Sequence, residues 1–316
     1  MKSSGTLLFY IGLLLSLVAC SAPEAGSALQ PEQPAGQTPM AAISTQPVAQ
    51  PTPLPTNPSI AATATALPAA TNTPEISAAS ACSSEKGQFE LGSLSSQLLP
   101  EPLEFRVYLP PCYEQHSRQR YPVLYLVHGQ SFNHDQWDRL GAGDIADTLI
   151  AAGEIAPFLI VLPRDRSWAQ PDEDMFGQAL IQELIPHVDA SYRTYPQRAY
   201  RAIGGLSRGA AWAVHLGLTR WGEFGAIGAH SLPVFFSDAP KIRKWLDAIP
   251  GESRPRIYLD IGDRDRPEIL ASARWFENLL TEKSIPHEWH LFSGYHEESY
   301  WQAHLEQYLR WYAGEW

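Results

Sequence analysis

The chain contains 316 residues and carries a formal net charge of −11 at pH 7. Nucleic acid is excluded as a partner, because no basic stripe is present to neutralise phosphate groups. The 3 cysteines and 10 histidines show no spacing typical of a zinc site, so no metal is expected.

Residues 1–20 resemble a bacterial lipoprotein signal. Lys2 makes the start positive, and the apolar run of residues 7–18 is too short to cross a bilayer as a stable helix. Residues 17–20 resemble a lipobox that ends in Cys20. This resemblance implies that Cys20 bears a lipid. The lipid would anchor the protein outside the cytoplasm, to the cell membrane or to an outer membrane where the envelope has one.

Residues 21–81 are rich in Pro, Ala and Thr and hold too few large apolar side chains to offset the entropy cost of folding. They predict a disordered, extended tether, with an O-glycosylated stalk as the alternative. Residues 82–316 are rich in aromatic and aliphatic side chains and are long enough for one large domain. Cys82 and Cys112 are candidates for a disulfide bond in an oxidising compartment, and two free thiols are the alternative.

Apolar runs and helical patterns alternate along this domain. The apolar runs predict strands at 105–109, 123–127, 158–162, 200–206, 225–229, 257–259 and, more weakly, 290–292. The helical patterns cover 142–152, 176–192, 210–218, 241–249, 268–283 and 298–312. Pro186 is expected to kink or divide the second of these helices. This order predicts an α/β fold in which a mostly parallel, twisted sheet carries helices on both faces, with functional residues at the carboxyl ends of the strands.

A glycine-rich segment ends one of the predicted strands. Its Gly205, Ser207 and Gly209 fit the pattern G-x-S-x-G of a nucleophile elbow, where a serine occupies a strained turn between a strand and a helix. The glycines are needed because a Cβ two residues from the serine would collide with the backbone. The apolar run before the pattern and the alanine-rich helix after it favour Ser207 as a nucleophile over Ser207 as a helix cap.

Two backbone N–H groups are expected to face this serine and to stabilise a developing oxyanion. The first is that of Arg208, at the start of the helix, where the helix dipole also favours negative charge. The second is expected in the loop after an earlier strand, where Gln130 is favoured and Ser131 is the alternative. His128 precedes the nucleophile, so we interpret it as a hydrogen-bonded loop histidine and not as the base.

The elbow pattern requires an acid and a histidine base later in the chain, in that order. His296 lies in the loop between the last predicted strand and the last helix, which favours it as the base. His230 follows an earlier strand and is assigned to the pocket wall. Two carboxylates follow the next-to-last predicted strand, where Asp265 is favoured as the acid and Asp263 is the alternative.

Taken together, these segments resemble the esterase family of α/β-hydrolases, which includes esterase D, feruloyl and acetyl-xylan esterases, enterochelin esterases and mycobacterial mycolyltransferases. The resemblance covers nearly the whole domain and rests on 107–111, 121–129, Trp137, 183–186, 205–209, 262–265, His296 and Trp301. It implies an α/β-hydrolase fold and a serine esterase activity without metal or organic cofactor. It also implies an acid three residues after a strand-end glycine, which supports Asp265 after Gly262. Arg208 and Tyr295 depart from the residues common in the family, and they are expected to narrow the mouth of the site or to favour an anionic substrate.

The sequence therefore predicts a serine carboxylic-ester hydrolase that acts outside the cytoplasm on a small-molecule or polysaccharide ester. Ser207 would attack, His296 would carry the proton and Asp265 would orient the imidazole. One alternative is an acyltransferase that uses a sugar or lipid hydroxyl as acceptor. Another is a non-catalytic, tethered binding module, which a separation of the three residues beyond hydrogen-bond reach would favour. The candidate pocket residues are Trp137, His230, Tyr295 and Trp301.

Overall fold

A computed structural model describes residues 86–316 of the chain. The signal with Cys20, the tether and Cys82 lie outside the described residues. Cys112 is disulfide-bonded, and the pairing with Cys82 stays a prediction. Within residues 86–316, every helix is too short or too polar to traverse a lipid bilayer.

The described residues form one mixed sheet of eight strands. The strands are β1 (Gln88–Leu94), β2 (Leu103–Leu109), β3 (Val123–Val127), β4 (Leu159–Pro163), β5 (Arg201–Leu206), β6 (Ala226–His230), β7 (Arg256–Gly262) and β8 (Glu288–Phe292). Their order across the sheet is β1-β2-β4-β3-β5-β6-β7-β8. The pairs β1–β2 and β2–β4 are antiparallel, whereas the other neighbouring pairs are parallel. This topology confirms the predicted mostly parallel sheet.

The seven strands predicted from apolar runs are β2 to β8, within a few residues at each end. β3 and β5 lie in the middle of the sheet, and every residue in them is buried. A strand that is covered on both faces can be apolar at each position, which is why β3 reads as a continuous apolar run. β5 is apolar after Arg201, whose buried guanidinium pairs with Asp189 and Glu223.

β1 is the strand that the sequence did not predict. It lies at the edge of the sheet, and the side chain of its Leu91 is 73% exposed, so it lacks the apolar run of a buried strand. Its register with β2 brings Gly92 opposite Phe105, where a Cβ on Gly92 would overlap the aromatic ring. The cross-strand partner, and not the local pattern, therefore determines this strand.

Helices cover both faces of the sheet, as predicted. They are α1 (Gln136–Arg139), α2 (Ala142–Ala151), α3 (Phe176–Ala179), α4 (Ile185–Ser191), α5 (Arg208–Thr219), α6 (Ala239–Ala248), α7 (Pro267–Glu282) and α8 (Glu298–Ala313). Their apolar residues fall into two clusters: α2 and α8 pack around Tyr308 and Tyr312 on one face, and α3 to α7 pack around Trp212 on the other.

The helix predicted at 176–192 is divided, as Pro186 led us to expect. A π-helical turn at Leu180–Leu184 separates α3 from α4. Pro186 lies in the first turn of α4, where a missing N–H costs no hydrogen bond within that helix. The wider π turn absorbs the proline, so the two helices keep their apolar side on the sheet.

Candidate active site

Ser207 occupies the sharp turn between β5 and α5. Its φ of 52° and ψ of −123° are unfavourable for a residue with a side chain. Its N–H donates to the carbonyl oxygen of His230 over 2.9 Å, which ties the turn to the end of β6. A Cβ on Gly205 would overlap the backbone of Gly209, and a Cβ on Gly209 would overlap the carbonyl oxygen of Val127. Both elbow glycines are therefore required by the close approach of β3, β5 and α5.

Three predicted residues from distant parts of the chain meet above this turn. His296, in the loop between β8 and α8, places Nε2 2.9 Å from the Oγ of Ser207. Its Nδ1 lies 2.9 Å from Oδ1 and 3.0 Å from Oδ2 of Asp265, which follows β7. Both contacts are within hydrogen-bond reach, so the condition that would favour a non-catalytic binding module is not met.

The surroundings of the imidazole restrict its motion. The side chain of Asp265 is 0% exposed and that of His296 is 9% exposed. The N–H of Arg266 donates to Asp265 Oδ1 over 2.6 Å. The ring of Trp301 meets the imidazole edge to face at a centroid distance of 5.0 Å. A carboxylate held in this way can orient the imidazole so that Nε2 is free to accept a proton from the serine.

The alternative acid, Asp263, points elsewhere. Its Oδ1 accepts the N–H of Gly294 over 3.0 Å, and its side chain is 47% exposed. A Cβ on Gly262 would overlap the carbonyl group of Gly294, so the loops after β7 and β8 touch at this point. Asp263 therefore holds the two loops together, and Asp265 is the carboxylate that contacts His296.

A cleft of about 550 Å³ opens beside Ser207 and His296. Gln130 and Ser131, the two candidates for the second oxyanion donor, both line it. Its other lining residues are Gly129, Phe132, Leu206, Arg266, Glu297, Glu298 and Trp301. The lining therefore combines two carboxylates, one guanidinium and two aromatic rings around the serine.

His128 is a buried, hydrogen-bonded loop histidine, as we interpreted it. Its Nε2 accepts the N–H of Asp165 over 3.0 Å, so the proton must lie on Nδ1. Nδ1 in turn donates to the carbonyl oxygen of Gly129 over 2.7 Å. Burial lowers the pKa of His128, which keeps the ring neutral and preserves this pair of contacts at neutral pH.

Sequence analysis missed the residues that hold the loop after β3. The side chain of Gln136 is buried, and its Oε1 accepts the N–H of Gly129 over 2.8 Å. Its Nε2 donates to Oε1 of Glu298 over 3.1 Å, and the guanidinium of Arg139 binds the same carboxylate at 3.0 Å. These contacts join α1 to the start of α8, and no local pattern could have signalled such a distant pairing.

The side chain of Arg208 corrects one expectation. Its guanidinium neither narrows the mouth of the site nor faces a substrate, because it is buried beside two carboxylates. Nε donates to Oδ2 of Asp165 over 2.7 Å, and Nη2 lies 3.5 Å from Oδ2 of Asp174. Arg208 therefore gives no reason to expect an anionic substrate. Its N–H, at the start of α5 next to Ser207, remains the predicted first oxyanion donor.

The candidate pocket residues divide into one that lines the cleft and three that do not. Trp301 lines it. Trp137 is a core residue that donates from Nε1 to the carbonyl oxygen of Val127, and His230 is fully buried below the elbow. Tyr295 is 49% exposed, but the Arg264 guanidinium stacks on its ring at 4.3 Å and holds it outside the cleft. His230, the last residue of β6, packs inward because Tyr308 of α8 stacks on its ring.

A buried polar cluster below the elbow contains Asp260. Its Oδ1 lies 2.6 Å from Nδ1 of His230, and its Oδ2 accepts the hydroxyl groups of Tyr300 and Tyr308, each over 2.7 Å. Burial and then the charge of Asp260 raise the pKa of both tyrosines, which keeps them protonated as donors. Because the carbonyl of His230 accepts the N–H of Ser207, this cluster supports the floor of the elbow.

We expect Asp260→Ala to lower the free energy of unfolding by about 3–5 kcal/mol, because it leaves a buried histidine and two buried hydroxyl groups without their acceptor. Urea denaturation followed by tryptophan fluorescence measures this change. Asp172→Ala is the control, since that side chain is 55% exposed, and its effect should stay within about 0.5 kcal/mol. Equal unfolding midpoints for the two variants would contradict the importance of the cluster.

The comparison with known proteins agrees with this geometry. Residues 96–312 match the Esterase family, which carries the description Putative esterase. The chain belongs to this family. An endo-1,4-beta-xylanase/feruloyl esterase of Xylanibacter ruminicola is 34% identical over 177 residues, which are 51% of this chain and 23% of the relative. An esterase of Mycobacterium tuberculosis is 27% identical over 242 residues, 60% of this chain and 51% of the relative. This member of the esterase family therefore spans about a quarter to a half of the length of these curated relatives.

Solved structures of similar shape include a ferulic acid esterase with a TM-score of 0.65 and 24% identity, covering 73% of this esterase-family chain and 99% of that one. A feruloyl esterase module from Clostridium thermocellum, complexed with sinapinate, has a TM-score of 0.61 and 19% identity, and the match covers 73% of this chain and 89% of that one. S-formylglutathione hydrolase from Staphylococcus aureus has a TM-score of 0.57 and 16% identity, and the match covers 72% of this chain and 99% of that one. These likenesses confirm the predicted α/β-hydrolase fold.

Proposed function

We propose that the domain hydrolyses carboxylic esters through Ser207, His296 and Asp265, with a covalent acyl-enzyme intermediate. The observation that carries the proposal is the continuous hydrogen-bonded path from the Asp265 carboxylate through the imidazole to the serine Oγ, with N···O distances of 2.9 Å at each end. Membership of the esterase family supports the same reaction.

In the first half of the reaction, the Oγ of Ser207 attacks the ester carbonyl carbon while Nε2 of His296 takes the hydroxyl proton. The resulting imidazolium is stabilised by the buried Asp265 carboxylate. The N–H groups of Arg208 and Gln130 donate to the oxyanion of the tetrahedral intermediate. When the C–O bond to the alcohol breaks, Nε2 returns the proton to the departing oxygen, and the acyl group stays on the serine.

In the second half, water takes the place of the alcohol. Nε2 of His296 removes a proton from the water as it attacks the acyl-enzyme, and a second tetrahedral intermediate forms on the same donors. Its collapse breaks the bond to Oγ, and the imidazolium returns its proton to Ser207. The products are the free acid and the original enzyme.

For the substrate, we infer a feruloyl ester of a polysaccharide. Phe132, whose side chain is 41% exposed, lines the cleft and offers a face for an aromatic acyl group. Arg266, Glu297 and Glu298 offer hydrogen-bonding groups to an alcohol part that is rich in hydroxyls. The names of the feruloyl esterase relatives support the same substrate class.

The test compares kcat/KM for a feruloylated arabinose, methyl ferulate, p-nitrophenyl acetate and p-nitrophenyl palmitate. We expect kcat/KM for the feruloylated sugar to exceed that for p-nitrophenyl palmitate by about 10- to 100-fold, because a long alkyl chain would remove water from the charged groups of Arg266, Glu297 and Glu298 in the lining. Phe132→Ala should raise KM for the feruloyl esters by about 3- to 10-fold and leave KM for p-nitrophenyl acetate unchanged. Phe236→Ala, which removes an 88% exposed ring that does not line the cleft, is the matched control. A preference for palmitate would overturn the substrate proposal.

Acyl transfer is the remaining alternative, and product analysis with added arabinose and glycerol tests it. Hydrolysis yields free ferulate at a rate that does not depend on the acceptor. A new ester that accumulates in proportion to the acceptor would replace hydrolase by acyltransferase as the function.

We further propose that the domain works outside the cytoplasm, tethered to a membrane through a lipid on Cys20. The lipobox-like residues 17–20 support this location. The full-length chain should fractionate with membranes in a bacterial host, and a Cys20→Ser chain should not. Equal fractionation of the two chains would contradict lipid anchoring.

A further inference from the structure

The peptide group between Gly129 and Gln130 carries the predicted second oxyanion donor. The carbonyl of Gly129 and the N–H of Gln130 belong to one planar, trans unit, so they point in opposite directions. His128 Nδ1 binds the carbonyl end at 2.7 Å, and Gln130 lines the cleft next to Ser207. Whatever fixes the carbonyl therefore also aims the N–H.

His128 is itself held from its other side. The N–H of Asp165 donates to Nε2 over 3.0 Å, which forces the proton onto Nδ1 and makes that atom the donor to Gly129. The side chain of Asp165 is fixed in turn, because its Oδ1 accepts the N–H of Ser167 over 3.0 Å and its Oδ2 accepts Nε1 of Trp212 over 2.8 Å. The loop after β4 therefore holds the histidine in place.

Arg208 completes this network from the elbow. Its Nε donates to the same Oδ2 of Asp165 over 2.7 Å, and its Nη2 donates to the carbonyl oxygen of Ala169 over 2.9 Å. The side chains of Arg208 and Asp165 are only 6% and 2% exposed, so the pair is shielded from water. The guanidinium also lies 5.1 Å from the ring centre of Phe235, in the loop after β6.

We propose that the Arg208 side chain is a positioning residue for the oxyanion hole: through Asp165 and His128 it fixes the Gly129–Gln130 peptide. This inference rests on the proposed esterase function. Arg208 then contributes to both halves of the hole, with its own N–H as one donor and its side chain as the support of the other. The two donors are linked through the side chains of Arg208, Asp165 and His128 and the backbone N–H of Asp165, although their loops are far apart in the chain.

The chemical consequence appears in the transition state more than in substrate binding. Donors of an oxyanion hole strengthen their bonds as negative charge develops, so their alignment changes kcat more than KM. Loss of a whole donor costs about 10²- to 10³-fold in kcat, and a donor that is present but misaligned should cost about 10- to 100-fold. If Arg208 had a purely structural role, its replacement would lower the stability of the fold without lowering kcat more than it changes KM.

The test measures kcat, KM and the inhibition constant of an aryl boronic acid, which forms a tetrahedral adduct on the serine, for the wild type, Arg208→Met and Arg208→Lys. We expect Arg208→Met to lower kcat about 10- to 100-fold, to change KM less than about threefold, and to weaken boronate binding in parallel with kcat. Arg208→Lys keeps a cation near Asp165 and should therefore recover part of the kcat that Arg208→Met loses. An unchanged kcat, or a loss carried by KM with boronate binding intact, would overturn the proposal.

Three further variants keep the test decisive if Arg208→Met does not fold. Arg208→Met combined with Asp165→Asn and Asp174→Asn removes the guanidinium and both carboxylates buried beside it, and we expect this protein to fold and still show the loss in kcat. His128→Asn retains a donor for the Gly129 carbonyl, whereas His128→Leu does not, so the second should lose at least about tenfold more kcat than the first. Wild-type and Ser207→Ala proteins are measured alongside. An inactive wild type would refute the proposed esterase function, whereas full activity in all Arg208 and His128 variants would refute this inference alone.

Discussion

Replacement of Ser207 by alanine should lower kcat for ester hydrolysis on the order of 10⁵- to 10⁶-fold while the fold is retained. Removal of Oγ abolishes the acyl-enzyme, and only binding and the oxyanion donors remain to assist attack by water. Stopped-flow or end-point assays with p-nitrophenyl acetate and methyl ferulate measure the loss. An aryl fluorophosphonate should label the wild type and leave the variant unlabelled.

Ser131→Ala is the matched control for this prediction. Ser131 lines the same cleft, but the hydroxyl that contacts His296 Nε2 is that of Ser207, and the N–H of Ser131 is kept in the alanine variant. Its kcat should remain within about threefold of the wild type. Comparable losses in the two serine variants, or labelling of the Ser207→Ala protein, would show that another residue is the nucleophile.

Asp265→Asn should lower kcat about 10⁴-fold, the second largest effect that we expect. The amide can offer its NH₂ to Nδ1 and so stabilise the imidazole tautomer with the proton on Nε2, which cannot accept the serine proton. The charge that stabilises the imidazolium is lost as well. The measurement is the pH profile of kcat/KM together with the thermal midpoint, so that a folding defect is separated from a catalytic one.

Asp263→Asn provides the control, because this carboxylate lies two positions away in the chain, after the same strand, and contacts Gly294 instead of His296. Its kcat should stay within about threefold of the wild type, with a modest loss of stability in the loop. The reverse ranking of the two variants would move the acid to Asp263 and would require the loop after β7 to rearrange in solution.

The local sequence was sufficient to predict the turn at Ser207, because neighbouring residues determine its backbone conformation. The pattern of Gly205, Ser207 and Gly209 requires one backbone conformation, and the structure shows a positive φ at Ser207 with no room for a Cβ on either glycine. Asp265 and His296 were predicted because parallel strands bring their carboxyl ends to one edge of the sheet. The catalytic role of these residues stays a prediction until the variants are measured.

Long-range pairing was not predictable in the same way. His230 follows a strand as a pocket residue would, but a carboxylate on the next strand and tyrosines from α8 bury it. The Arg208 guanidinium turns inward because Asp165, which follows β4, offers a buried carboxylate. Gln136 and Glu298 meet across 162 positions of sequence. In each case the position of the side chain depends on a partner that is distant in sequence and comes close only when the chain folds.

The position of β1 has a mechanical consequence for the proposed tether on the N-terminal side of the domain. The chain enters the described domain at one edge of the sheet, through β1, whereas Ser207, Asp265 and His296 follow β5, β7 and β8. A pulling force on the residues directly before β1 is resisted by its seven-residue antiparallel ladder with β2 and by the bond from the N–H of Gly87 to Asp147. The predicted Cys82–Cys112 bond would instead carry such a force to the loop after β2. Three strands, β2, β4 and β3, separate that load from the strand that carries the serine. In the proposed membrane-tethered form, with the predicted disulfide reduced, drag would therefore peel the edge of the sheet before it disturbed the alignment of Ser207, His296 and Asp265.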